Sequence, residues 1–244
     1  SVIFASTSDT RDLLARSLTQ KILIFSQVTA SNLATAVPRP PRPEPPRLLY
    51  AGRLLYWKGV HIAIDAFARL RSQITDARFT IVGDGAERDR LHALASSRNV
   101  KENIDFIPWL PQQRLFELYD SHDLLLFPSL HDSGGLVVLE ALSHGLPVVC
   151  LDLGGPKDIV TPDSGIVVRT AGRHTGEVAA AMTDGMFRIL NSPERLSSLS
   201  AGAIARANQF ILSDHIVKFY DCAIDAIGPL SNDVRRSKGT RLEG

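Results

Sequence analysis

From Arg47 onward the chain alternates short apolar runs with helical patterns, and no other feature constrains the fold as much. The runs RLLYA (47–51), FTIVG (79–83), IDFIP (104–108), DLLLF (123–127), PVVCL (147–151) and GIVVR (165–169) have the length of single strands. Between them lie GVHIAIDAFARLRSQI, AERDRLHALASS and PQQRLFELYDS, and in the first of these Ile62, Ala63, Ala66, Phe67 and Leu70 fall at helical spacing. Strands that are apolar throughout, with helices between them, imply a parallel sheet covered on both faces. The expectation is an α/β protein with a doubly wound, Rossmann-like parallel sheet. After Thr170 the pattern turns all helical, to about Ile227.

The flanks read differently. Residues 1–25 follow a strand, helix, strand pattern (VIFAS, TRDLLARSL, KILIF), too little to build a core alone. Residues 26–46 end in PRPPRPEPP, whose six prolines exclude a helix or central strand, so this stretch reads as a linker. The main domain is expected over 47–210, a C-terminal helix over 211–228 and a flexible polar tail over 229–244. In the tail, Arg235, Arg236, Lys238 and Arg241 read as a solvated cluster, with peripheral contact to anionic lipid as the alternative. The chain opens at Ser1 inside a strand-like run, which reads as a cut into a longer protein.

Composition narrows the function classes. A net charge of +1 argues against a dedicated nucleic-acid binder, which carries a basic stripe. No run reaches the roughly 18 apolar residues of a membrane span, and no signal-peptide pattern opens the chain. Cys150 and Cys222 suggest no disulfide framework and read as reduced, packed thiols, which fits a cytoplasmic protein. Oligomeric state is not legible.

Ligands of doubly wound sheets bind beyond the carboxyl ends of the strands, and the unusual residues gather there after five runs. Gly52, Arg53 and Lys58 follow RLLYA; Gly83, Asp84 and Gly85 follow FTIV; Trp109 and Leu110 follow IDFIP; residues 129–135 follow DLLLF; Gly154 and Gly155 follow PVVCL. Arg53 and Lys58 read either as solvated charges or as a guanidinium and an ammonium flanking a diphosphate. Gly83 and Gly85 fit a tight turn, and the third glycine of a dinucleotide fingerprint is Arg88 here. Trp109 reads as a rim aromatic or as a platform for a base. His122 and Asp123, adjacent on a strand, point to opposite faces and read as structural. No HxxxH, CxxC or DxD spacing exists, so no resident metal is expected.

The densest stretch is HDSGGLVVLEALSHGLPVV (131–149), which combines Asp132, Ser133, Gly134, Gly135 and Glu140 in one strand, loop and helix. A helix is expected over 134–145. Its first turn leaves N–H groups unpaired and suits an anion, and the two glycines allow close approach of a ligand. Glu140 interrupts a helix that reads as apolar nearly all round, and a buried carboxylate needs a hydrogen-bond partner. A ligand hydroxyl is one candidate. Were both positions helical, Asp132 and Glu140 would lie about 12 Å apart, which suits the two ends of an extended ligand.

At these residues the chain resembles a family. Asp132, seven residues, then Glu140, together with AGRL (51–54) and Lys58-Gly59, VGDG (82–85), and HGLPVV followed by a glycine pair, are similar to the donor-binding domain of GT-B-fold retaining glycosyltransferases of the family 4 type. The resemblance covers about 48–168. It implies that Arg53 and Lys58 neutralise the diphosphate of a nucleotide sugar, with UDP- or GDP-sugars foremost, without a metal. It implies that Asp132 grips sugar hydroxyls, that Glu140 accepts from the ribose, and that the Gly134 and Gly135 amides contact sugar or phosphate. Residues 107–110 would hold the base, flanked by Trp109, and Gly52, Ser133, Gly83 and Gly85 would line the same site. Asp132 stands where the family usually has Glu, and GGPKDIV (154–160) departs from the usual Gly-Gly-x-Pro-Glu order.

The family also implies an N-terminal acceptor domain, of which residues 1–25 would be the last part, and a late helix that returns to pack on it. On this reading the chain is the donor half of a hexosyltransferase for a glycan, lipid or small-molecule acceptor, inactive alone. The alternative is a non-catalytic nucleotide-binding or interaction module of α/β type. A phospho-receiver variant of that alternative needs acidic residues where Gly52 and Arg53 stand. A dinucleotide oxidoreductase is disfavoured by the incomplete fingerprint at 83–88.

Overall fold

The computed structural model describes residues 2–18, 21–24, 37–38 and 45–227. The expected linker therefore lies outside the described residues except at 37, 38, 45 and 46, and the expected tail, with its basic cluster, lies wholly outside them. The chain begins with β1 (Val2–Ala5), α1 (Ser8–Leu14) and β2 (Lys21–Ile24), and the two strands pair in parallel. The main unit then runs β3 (Arg47–Ala51), α2 (Val60–Arg71), β4 (Arg78–Val82), α3 (Arg88–Ser97), β5 (Ile104–Ile107), α4 (Gln112–Ser121) and β6 (Leu124–Phe127). It continues with α5 (Leu136–Ser143), β7 (Val148–Leu151), α6 (Pro156–Ile159), β8 (Gly165–Val168), α7 (Thr175–Leu190), α8 (Pro193–Ala207) and α9 (Leu212–Ile227).

The six strands of the main sheet lie in the order β5-β4-β3-β6-β7-β8, and every pairing is parallel. Successive side chains of a strand face opposite ways, so each strand feeds two cores. Leu48 and Tyr50 of β3 join Phe67 of α2, Leu91 of α3 and Met182 of α7 in one core. Leu49 and Ala51 join Tyr119 of α4, Leu139 of α5 and Ala203 of α8 in the other. This two-sided burial is why the strands are apolar at consecutive positions. The order reverses between β3 and β6, and such a switch point opens a crevice beyond the strand ends.

Several expectations need revision. The helix expected over 134–145 spans Leu136–Ser143, because Gly135 adopts a left-handed backbone (φ 67°) and caps the helix instead of entering it. It is not apolar all round on the inside either: Leu136 is 53% exposed. The short helix α6 forms inside GGPKDIV, a segment with no helical periodicity. Both cysteines are free, but only Cys150 is buried; Cys222 is exposed on α9. Burial, followed by the nearby charge of Asp152, pushes the Cys150 thiol up to about 12.

His122 and Asp123 lie between α4 and β6 rather than on the strand, and both are bonded within the fold. The His122 ring lies 2.8 Å from Thr80 Oγ1 on one side and 2.8 Å from the Leu118 carbonyl on the other. Asp123 accepts from the Arg47 N–H at 2.8 Å. The late helix does return to the first strand: the Phe219 and Phe4 rings are 4.7 Å apart. Ile216, Val217, Tyr220 and Ile224 of α9 remain exposed.

Candidate functional site

The loops beyond the carboxyl ends of the strands are knitted together by backbone contacts. The Gly52 N–H donates to the Val82 carbonyl at 3.0 Å, Leu54 N–H to Asp84 at 2.9 Å and Gly83 N–H to Ile107 at 2.8 Å. A Cβ on Gly83 would fall 1.8 Å from the Gly52 carbonyl oxygen, and one on Gly85 would fall 2.4 Å from that of Leu54. These glycines let the loops meet, in keeping with the tight turn expected of Gly83 and Gly85. The result is a rim whose side chains are aimed from fixed positions.

Two of the expected residues meet at the switch point. Lys58 follows β3 and Asp132 follows β6, and Lys58 Nζ donates to Asp132 Oδ2 at 2.6 Å. Both side chains are less than one-fifth exposed (19% and 17%), which makes this more than a surface ion pair. The other oxygen of Asp132 accepts from the Gly135 N–H at 2.7 Å and the Gly134 N–H at 3.1 Å. The two glycine amides just before α5 are thus met by the chain's own carboxylate. Burial acts to raise the Asp132 pKa, but the Lys58 bond, the two amides and the Lys58 charge outweigh it and hold the carboxyl below its ordinary value. Asp132 precedes α5, so the helical ruler of 1.5 Å per residue does not measure its distance to Glu140.

Glu140 is half-buried, and the fold supplies its partners. Tyr119 Oη donates to one carboxylate oxygen at 3.1 Å and Gln112 Nε2 to the other at 3.2 Å. Burial first, and then the Glu140 charge, push the Tyr119 hydroxyl well above its ordinary range, so it stays a donor. Tyr119 and Gln112 did not figure among the sequence candidates. The available signal was a tyrosine on the inward face of α4: a buried phenol needs an acceptor.

The remaining candidates are placed as follows. Arg53 is exposed, and among the described residues its guanidinium makes no hydrogen bond or ion pair; its carbonyl accepts from Tyr50 Oη at 3.0 Å. Trp109 is 74% exposed, whereas Leu110 packs against the core. Ser133 is exposed beside Asp132. The structure therefore joins Lys58, Asp132, Gly134 and Gly135 by direct contact and sets Glu140 further along the same helix. Arg53 and Trp109 stand on the rim without fixed contacts to that group. A cavity of about 430 Å³ lies elsewhere, where β3 and β4 begin, among Arg47, Arg78, Thr80, Asp105 and His122. Its Arg78 is bonded to Asp105 and to the Glu102 carbonyl. Among the described residues no cluster of three or more His, Cys, Asp or Glu side chains is arranged to hold a metal, and no helix is long and apolar enough to cross a membrane.

Chemically, the rim offers cations beside the first strand and carboxylates on the loop and helix beyond the fourth. Such a set can hold a ligand with anionic and hydroxylic parts. Known proteins resemble this chain in sequence and fold. The family model described as Glycosyl transferases group 1 matches residues 36–205. The glycogen synthase of Mycobacterium tuberculosis is 34% identical over 172 residues, covering 70% of this chain and 41% of that protein. The D-inositol 3-phosphate glycosyltransferase of Corynebacterium aurimucosum is 31% identical over 168 residues, covering 66% of this chain and 38% of that protein. The chain thus spans about two-fifths of the length of these relatives. Among solved structures, the pneumococcal O-GlcNAc transferase GtfA, in complex with UDP and GlcNAc, aligns over 93% of this chain and 46% of its own (TM-score 0.75, 18% identity). The sucrose-phosphate synthase of Thermosynechococcus elongatus aligns over 91% and 57% (TM-score 0.74, 22% identity). These structures share the fold.

Proposed function

The chain belongs to the glycosyl transferases group 1 family, and on that premise we propose that it is the donor-binding half of a retaining glycosyltransferase. The donor is a nucleotide-diphosphate hexose, with uridine or guanosine as the base. Residues 47–210 form the donor domain, 1–25 are the end of an acceptor domain, 26–46 link the two, and 211–228 cross back as a helix. The observation that carries the proposal is the meeting of Lys58 and Asp132 across the switch point, at 2.6 Å.

In this reading Arg53 and Lys58 hold the diphosphate, and their charge stabilises the nucleotide as it leaves with two phosphates. Asp132 accepts from hydroxyls of the transferred sugar, and Glu140, held by Tyr119 and Gln112, accepts from the ribose. The base lies along residues 107–110, with Trp109 free to cover one face. Since Lys58 is bonded to Asp132, the diphosphate must share or displace that contact. The Gly134 and Gly135 amides, bonded to Asp132, become available to sugar or phosphate only as its carboxylate turns. The nucleoside diphosphate leaving group makes charge stabilisation the main chemical task, and the acceptor hydroxyl is bound by the acceptor domain.

Titration calorimetry of the folded chain against UDP, GDP, ADP and their sugars tests the proposal. Weak binding of one nucleotide diphosphate, without sugar transfer, is the expected outcome. Silence across the whole panel would overturn it.

A further inference from the structure

The first helix and the short helix α6 hold each other by exchanged carboxylates. Asp158, in α6, accepts from the Ser8 N–H and from the Ser8 hydroxyl, each at 2.8 Å, at the first residue of α1. Asp9, the next residue of α1, accepts in return from the Gly154 N–H at 2.9 Å and from the Lys157 ammonium. Each carboxylate therefore satisfies donors that the other segment leaves open. The contact is polar, and Asp9 is half exposed (50%), so it can break and re-form without exposing a core.

The same loop grips Asp132. The Gly155 N–H donates to the Asp132 carbonyl at 2.8 Å, and a Cβ on Gly154 would fall 2.2 Å from that carbonyl oxygen. Residues 154 and 155 are thus bonded to α1 on one side and to the backbone of Asp132 on the other. Asp132 in turn orients Lys58 and the start of α5. On the far side of α6, Arg206 donates to the Asp158 and Ile159 carbonyls at 2.8 and 2.7 Å. α6 is therefore fixed to the main domain by neighbours other than α1.

We propose that Asp9 and Asp158 are positioning residues: as a reciprocal clasp they set the Asp132 loop through Gly154 and Gly155, so that the placement of α1 is registered at the donor site. The link to donor binding rests on the reading of Asp132 given above; the clasp itself does not. Its consequence is that movement of the N-terminal segment changes the grip on the ligand with no residue of that segment touching it.

The test is amide hydrogen exchange, resolved by NMR, in the full chain and in the variants Asp9→Ala, Asp158→Ala and Asp9→Glu. Loss of a cap accelerates exchange about fivefold. If the clasp is reciprocal, Asp9→Ala speeds the Ser8 and Gly135 amides as well as that of Gly154, Asp158→Ala speeds the same three, and Asp9→Glu returns them towards the native rate. Acceleration confined to Gly154 in one variant and to Ser8 in the other would reduce the contact to two local caps and overturn the proposal. Gly135 lies in the main domain, so its amide reports on the Asp132 loop even where α1 detaches. A second arm titrates UDP and GDP: an affinity about fivefold weaker in Asp9→Ala supports coupling to the site, and unchanged affinity overturns it. If the wild type binds neither nucleotide, the donor reading fails, and the exchange arm still decides the clasp.

Discussion

Asp132 and Glu140 stand eight residues apart on one loop and helix, yet the chain holds them in opposite ways. Asp132 is bonded to an ammonium and two loop amides, all of which answer its charge. Glu140 is bonded to a phenol and a primary amide, which orient the carboxylate without cancelling its charge. The difference bears on what each can offer a ligand. A group that seeks Lys58 must compete with Asp132, whereas a hydroxyl approaching Glu140 meets an acceptor already aimed and with no cation bonded to it among the described residues. One carboxylate is engaged in an internal ion pair; the other is presented.

The largest expected effect comes from breaking the ionic arrangement. Lys58→Met leaves a mostly buried carboxylate with only its amide partners, and should cost roughly 2 kcal/mol at neutral pH, the scale of a lost hydrogen bond to a charged group. Urea unfolding measures this, and calorimetry should record at least a tenfold weaker nucleotide diphosphate, since the same cation is proposed to hold the phosphates. Native-like stability in this variant would mean that Asp132 does not depend on its cation, and the contrast with Glu140 would disappear. Next comes Tyr119→Phe, which removes one neutral donor to Glu140 at constant shape and should cost about 1 kcal/mol. Because the Tyr119 hydroxyl is held protonated, that cost should be the same in unfolding curves at pH 6 and pH 8. A cost that changes between them would show that the Glu140 pocket carries a titrating partner after all.

How much of this could be read beforehand follows from how local each feature is. The four inner strands were legible because they are buried at consecutive positions, the direct mark of cover on both faces, and the edge strands β5 and β8 followed as short apolar runs between helices. Their carboxyl ends then located the rim without any knowledge of side-chain contacts. α6 was not legible: four residues including a proline, a lysine and an aspartate carry no periodicity, and the bonds that hold them come from Arg206 and Ser8, far away in the chain. The pairing of Tyr119 with Glu140 depends on how α4 and α5 lie across one face of the sheet, which spacing along the chain does not encode. The turn in which Asp132 accepts from the Gly134 and Gly135 amides was partly written in Asp-Ser-Gly-Gly, since an aspartate readily bonds the backbone two residues on.

The smallest effect, and the finest test of the contrast, lies in the acid limb of stability. Asp132 has a folded-state pKa below its ordinary 3.8, so the fold favours its ionised form. That contribution is complete above the unfolded value and is lost as pH falls through the folded one. Wild-type stability should accordingly decline below about pH 4, and Asp132→Asn, which has no proton to gain, should decline less steeply there, by about 1 kcal/mol at most. Unfolding curves between pH 5 and 2.5 supply the comparison. Parallel slopes for wild type and Asp132→Asn would mean that the bond to Lys58 does not favour the ionised form.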